Sequence, residues 1–107
     1  HLEIVKLLLL NEKVDPSACD NYAIRWASKN GHLEIVKELL LNEKVDPSAY
    51  DNYAIRYASY YGHLEIVKLL LLNEKVDPSA QDNYAIRFAS LKGYLEIVKE
   101  LLLNEKV

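Results

Sequence analysis

Histidine is the residue type in this sequence whose spacing most suggests a possible metal site. His1, His32 and His63 recur 31 residues apart, and imidazole nitrogen is a common zinc ligand. If each histidine belongs to a separate packed unit, neighbouring units lie about 10 Å apart. They cannot then share one ion at the ~2 Å that ligation requires. We therefore predict no metal site, and we expect each histidine to cap or hydrogen-bond near a turn.

The candidate nucleophiles lack the partners that catalysis needs. Cys19 is the one cysteine, and no histidine and acid recur beside it. Ser17, Ser28 and their copies lie outside any glycine-flanked nucleophile turn. No acid/base pair or phosphate-binding loop converges within one unit, so the sequence predicts neither an enzyme nor a bound cofactor.

Composition limits the compartment and the partners. A single cysteine cannot form an internal disulfide, which favours the cytosol or nucleus. A targeting signal upstream of His1 stays possible. The 13 basic and 16 acidic residues are interspersed along the 107-residue chain, which argues against binding nucleic acid or an anionic membrane. Apolar runs such as 7–10 are far shorter than the roughly 20 residues that cross a bilayer.

An internal repeat organises the whole sequence. Residues 1–31, 32–62 and 63–93 align without gaps, and 94–107 begins a fourth copy. Only five positions differ among the three full units. They are Leu7/Glu38/Leu69, Cys19/Tyr50/Gln81, Trp26/Tyr57/Phe88, Lys29/Tyr60/Leu91 and Asn30/Tyr61/Lys92. A fixed period of this length is typical of stacked repeat proteins.

Each unit is predicted to be a pair of helices. Apolar residues in 33–41 follow a helical period and not the alternation of a strand. A second, shorter helix is predicted from about Tyr22 to Lys29, with Asp20 or Asn21 capping its amino end. Gly31 should end that helix in a left-handed conformation.

A proline-containing connector joins successive pairs. The residues of 45–49 are expected to form an extended or turning finger. Acidic and basic residues at matching positions could hold fingers to helices as a ladder of ion pairs. These are Asp20, Asp51 and Asp82 with Arg25, Arg56 and Arg87.

A 31-residue helix pair cannot bury both faces of its helices alone, so neighbouring pairs must stack into an all-α solenoid. We expect a partial first unit at 1–18 and repeats at about 19–49, 50–80 and 81–107. We expect the array to be truncated at both ends. Because neither end then carries a polar cap, the chain could associate end to end.

The second helix of the unit resembles a known family. Gly-His-Leu-Glu-Ile-Val-Lys-Glu-Leu-Leu, residues 31–40, is similar almost letter for letter to the second helix of ankyrin repeats. The first helix, Tyr22-Ala23-Ile24-Arg25-Trp26-Ala27, departs from the family's T-P-L-H-x-A, and its R-x-A-S ending resembles arrays expanded in large DNA viruses of protists. The resemblance implies right-angled β-fingers, an inner row of short helices and an outer row of long helices. It also implies a non-enzymatic role in binding another protein through finger tips and the concave helix face.

Most of the varying positions fall where the family resemblance places partner contacts. Variation there, beside unvaried exposed positions elsewhere, favours a contact surface. Tyrosine in the central unit also offers rigid contact area with a polar tip. At Trp26, Tyr57 and Phe88 we expect packing between repeats to be the main role. The candidate contact residues are Tyr50, Tyr57, Tyr60, Tyr61, Cys19, Gln81, Trp26, Lys29, Asn30, Leu91 and Lys92.

Two other interpretations fit the same repeat, an engineered array and a structural spacer. The near identity of the units is also what an engineered consensus array or a selected binder would show. A structural spacer without a native ligand would need the stacking alone. The position occupied by Leu7, Glu38, Leu69 and Glu100 accepts glutamate, so we expect its leucines to be partly exposed on the convex side.

Overall fold

The computed structural model describes residues 3–4, 15–104 and 106. From residue 15 onward the described chain forms six helices and no strand. The helices are α1 (Ala18–Asn30), α2 (Leu33–Leu40), α3 (Ala49–Tyr60), α4 (Leu64–Leu71), α5 (Ala80–Lys92) and α6 (Leu95–Leu102). The predicted helix pairs are confirmed. The expectation that the first helix of each pair is the shorter one was wrong, because α1 has 13 residues and α2 has 8.

The first helix of each pair begins with a left-handed turn. Cys19, Asp20 and Asn21 have φ of 56°, 55° and 60°, a conformation that costs L-residues roughly 1–2 kcal/mol each. Regular right-handed helix therefore starts at Tyr22, as predicted. Gly31 closes the helix at φ 76°, so the predicted glycine turn is also confirmed.

Arginine side chains stabilise these left-handed turns. Arg25 donates from Nε to the Asp20 carbonyl at 3.0 Å and from Nη2 to the Cys19 carbonyl at 3.1 Å. Arg56 and Arg87 repeat both bonds in their own units. The predicted ion-pair ladder was wrong, because the guanidinium groups bind backbone carbonyls that the left-handed turn leaves without helical partners.

The predicted helix-capping role of Asn21 was also wrong. Its side-chain oxygen accepts a hydrogen bond from the Asp46 backbone N–H in the next unit, at 2.7 Å. Asn52 binds the Asp77 N–H in the same way at 2.8 Å. Asn83 Oδ1 is buried without a partner among the described residues. Asn21 and Asn52 therefore each join a finger to the next one.

The fingers are tight turns and not β-hairpins. Asp46 Oδ1 accepts hydrogen bonds from the backbone N–H and the hydroxyl of Ser48, at 2.9 and 2.6 Å. Ser79 makes the same two bonds with Asp77, and the side-chain bond is the main reason that the pKa of Asp77 lies below its ordinary value. The expected β-finger is absent from the described units because this Asp-Pro-Ser turn takes its place.

Stacked helix pairs form one continuous core. The buried apolar side chains come from equivalent positions in successive units, as predicted for a solenoid. In the repeat at 50–80 they are Ala54, Ile55, Ala58, Ile66, Val67, Leu70 and Val76. Helices α1, α3 and α5 lie against one another more extensively than α2, α4 and α6 do. The former are therefore the inner helices and the latter the outer helices.

The outer side is more open. A groove of about 390 Å³ separates α2 from α4 and is lined by Lys37, Leu40, Leu41, Leu69, Leu72 and Asn73. Leu69 is half-buried and Glu38 is exposed, so partial exposure at this varying position is confirmed for Leu69. Leu7 lies outside the described residues.

The residue that follows each glycine packs back onto the preceding unit. His63 Nε2 donates to the Lys29 carbonyl at 2.9 Å, since a carbonyl can only accept. The expected turn hydrogen bond is thus confirmed for His63. His32 instead stacks on Trp26 with ring centroids 4.6 Å apart. His1 lies outside the described residues.

Candidate functional site

The inner helices present a connected row of aromatic rings. Tyr53 and Tyr57, one helical turn apart, have ring centroids 4.4 Å apart. Tyr57 lies 5.7 Å from Tyr84 in the next unit, and Tyr84 lies 4.4 Å from Phe88. Tyr60 completes the cluster at 5.4 Å from Phe88. The rings therefore continue from one repeat into the next.

Basic side chains lie over these rings. The guanidinium carbon of Arg56 lies 5.4 Å from the ring centroid of Tyr57 and 5.3 Å from the ring centroid of Tyr84. The ammonium of Lys92 lies 4.3 Å from the Tyr60 centroid. Each arrangement falls within the ~6 Å range of cation–π attraction. We call this surface the aromatic–basic face. It comprises Tyr22, Arg25, Trp26, Lys29, Tyr53, Arg56, Tyr57, Tyr60, Tyr61, Tyr84, Arg87, Phe88 and Lys92.

The structure brings together all four candidate residues of the central unit. Tyr57, Tyr60 and Tyr61 have centroids between 4.9 and 6.4 Å apart. Tyr50 joins them through Tyr53, at 6.1 Å. The four tyrosines singled out in the sequence therefore belong to one cluster.

Candidates in the flanking units meet this cluster at its ends. Lys29 lies 5.9 Å from the Tyr57 centroid, and Asn30 donates to the Trp26 carbonyl at 2.9 Å. Trp26 is 38% exposed and stacks on His32, whereas Tyr57 and Phe88 pack against rings of the neighbouring inner helix, as expected at this position. Leu91 is 78% exposed at the end of α5.

The finger candidates lie apart from the rings. Cys19 is an exposed free thiol in the left-handed turn of α1. Gln81 occupies the matching place in α5 and donates a hydrogen bond to the carboxylate of Asp51 in the preceding unit. These two residues therefore belong to the finger side of the array, next to the face and not within it.

Sequence reasoning missed half of the aromatic–basic face. Tyr22, Tyr53 and Tyr84 are identical in every copy, as are the three arginines that lie beside them. Because these residues do not vary among the units, variation could not indicate them. Their spacing carried the signal, because a tyrosine four residues before each varying aromatic lies on the same side of a helix.

Folding separates charges that are interspersed along the sequence. The right-handed segments 22–30, 53–61 and 84–92 contain Arg25, Lys29, Arg56, Arg87 and Lys92 and no acidic residue. In the described part of the chain the ion pairs are Glu34–Lys37, Glu65–Lys68 and Glu96–Lys99, all on outer helices. The inner face is consequently locally basic on a chain of net charge −3.

Tyr84 is a half-buried member of the ring cluster. Burial raises its pKa to about 12, and a hydrogen bond with Tyr57 contributes in the same direction. Its phenol is therefore neutral throughout the physiological range.

Groupings typical of catalytic metals are not seen in the residues described. No set of three or more histidine, cysteine, aspartate or glutamate side chains among 3–4, 15–104 and 106 could hold a metal ion. The described helices are also all too short or too polar to cross a membrane.

Comparison with known proteins identifies the repeat. A family model described as ankyrin repeats (3 copies) matches residues 1–82 and, in an overlapping placement, residues 26–107. Repeats of this family generally serve as protein–protein interaction modules. No curated protein matched this sequence. Since the two family matches together span the full sequence and the described helices stack in pairs, the chain belongs to the ankyrin repeat family.

Proposed function

We propose that this chain binds a partner protein through its fingers and its aromatic–basic face, without catalysing a reaction. The observation that carries the proposal is the connected set of rings and cations on the inner helices. Tyr50 and Tyr61 are 60% and 45% exposed. Aromatic and arginine side chains supply much of the binding energy at protein interfaces. The single cysteine supports a reducing compartment, the cytosol or nucleus.

The aromatic–basic face is ordered before a partner arrives. The arginine side chains are held by two carbonyl hydrogen bonds each, and the tyrosines contact one another across repeats. Side chains that are already fixed lose less conformational entropy on binding. Preorganisation of this kind favours an interaction surface over a passive spacer.

The test is capture of native partners by the intact chain and by two matched triple variants. In the first, Tyr57, Tyr60 and Tyr61 are replaced by serine. In the second, serine replaces the outer leucines Leu41, Leu72 and Leu103, which are 79%, 81% and 79% exposed. We expect the tyrosine variant to lose at least about tenfold in partner recovery, because truncation of a central aromatic costs ~2 kcal/mol or more.

The leucine variant controls for the removal of three large apolar side chains from the opposite side of the array, and we expect it to retain the partner. Circular dichroism and thermal unfolding would show that both variants fold. Tyr61→Ser alone, at an exposed position, provides a milder version of the same test. Equal recovery of the same proteins by the parent and the tyrosine variant would contradict the proposal and favour a spacer.

A further inference from the structure

The charges of the aromatic–basic face restrict which partner it fits. Five cations lie on the inner helical segments, and none of them has a carboxylate within ion-pairing distance among the described residues. The lysines of the outer helices, in contrast, are each paired with a glutamate one turn away. A ligand that docks on the inner face must therefore supply the compensating negative charge.

The arginines leave a defined part of each guanidinium group for a ligand. In Arg56, Nε and one Nη2 hydrogen are used by the Asp51 and Tyr50 carbonyls at 3.0 and 3.3 Å. No hydrogen bond from Nη1 is seen within the described residues. A guanidinium edge of this kind can bind a carboxylate through two parallel hydrogen bonds. The other edge is fixed by the backbone, so the group is held in position for a carboxylate.

Repetition sets the spacing of these groups. Arg25, Arg56 and Arg87 occupy the same position in successive units, and stacked helices lie about 8–10 Å apart. A segment in the polyproline II conformation advances about 3.1 Å per residue and presents every third side chain on the same face. Acidic side chains roughly three residues apart would therefore meet successive arginines.

The rings between the cations suit the side chains between the acids. Tyr53, Tyr57 and Tyr84 offer partly exposed ring surface in the spaces between Arg25, Arg56 and Arg87. Apolar or aromatic side chains pack well on such rings, since their contact excludes water from neighbouring ion pairs.

We propose that the aromatic–basic face binds an extended acidic segment of a partner protein, with carboxylates about three residues apart and apolar side chains between them. This inference rests on the proposed protein-binding function and specifies the chemistry of the partner. Single-stranded nucleic acid also combines negative charge with stacking groups. Protein is favoured because repeats of this family generally bind proteins.

The test is selection of peptides from a random display library by the 107-residue chain. Peptides of ~12 residues in a polyproline II conformation, at about 3.1 Å per residue, cover most of the 40 Å long axis of the array. We expect the selected peptides to be enriched in Asp and Glu at a three-residue spacing. Replacing those acids by Asn and Gln in synthetic copies should weaken binding at least about tenfold in fluorescence anisotropy.

Two charge-matched double variants locate the binding. Lys29→Gln with Lys92→Gln removes two cations of the aromatic–basic face that hold no backbone turn through their side chains. Lys68→Gln with Lys99→Gln removes two cations of the outer helices. We expect the first variant to lose about fivefold or more in affinity for the selected peptides and the second to stay within about twofold.

Four results would overturn the inference. These are selection of no peptide, selection without acidic enrichment, equal loss in the two lysine variants, and tighter binding of an oligothymidylate of similar length than of the selected peptides. None of these results alters the outcome of native-partner capture with the serine variants. The acidic specificity can therefore fail while the proposed protein-binding function stands.

Discussion

Replacement of Asn52 by alanine is expected to lower the free energy of unfolding of the 107-residue chain by about 1–4 kcal/mol. Asn52 Oδ1 accepts the part-buried backbone N–H of Asp77 from the next finger, at 2.8 Å. An N–H left without a partner costs about 1–3 kcal/mol. Alanine also tolerates the φ of 59° less well than asparagine does, which adds up to about 1 kcal/mol.

Asn83→Ala provides the matched control. Asn83 has the same left-handed backbone, with φ 58°, but its Oδ1 has no partner in the described chain. Its replacement should change stability by no more than about 1 kcal/mol, the backbone part of the cost. Urea unfolding of both variants measures the difference. Equal destabilisation would show that the bond between fingers contributes nothing.

Gly31→Ala should destabilise the chain by about 2–3 kcal/mol. Two effects combine there, since Gly31 has φ 76° and a Cβ would lie 2.7 Å from Cε1 of His63. Left-handed backbone costs alanine about 1–2 kcal/mol. The imidazole would also have to swing away and lose its hydrogen bond to Lys29, a contribution of about 1 kcal/mol.

Gly93→Ala separates these two effects. Gly93 has nearly the same φ, 77°, but nothing lies within 4 Å of its added Cβ. This variant should therefore show only the backbone cost of about 1–2 kcal/mol. Thermal or urea unfolding again gives the comparison. A Gly93 variant as unstable as the Gly31 variant would refute the role assigned to His63.

The repeat period predicted most of the fold. Apolar spacing in 33–41 and the glycine at the end of each unit predicted the helix pairs and their turns. The left-handed turn at 19–21 escaped prediction, because its stabilisation depends on an arginine five and six residues away binding backbone carbonyls. Asn21 was misassigned for a related reason, since its partner lies 25 residues along the chain.

The candidate surface was predictable only where the units differ. Variation indicated Tyr57, Tyr60 and Tyr61, and the structure places them in one cluster. Residues repeated without change, such as Tyr53 and Arg56, gave no such signal. The separation of cations from carboxylates arises when three inner helices stack, so a chain with interspersed charges did not reveal it.

Hydrogen exchange on the chain, free and bound to its captured partner, tests the central claim most directly. Binding through the aromatic–basic face predicts added protection in α3 and α5 and in the adjoining left-handed turns. Peptides from the outer helices α4 and α6 should exchange at unchanged rates. Protection confined to the outer helices, with the inner helices unaffected, would contradict the account.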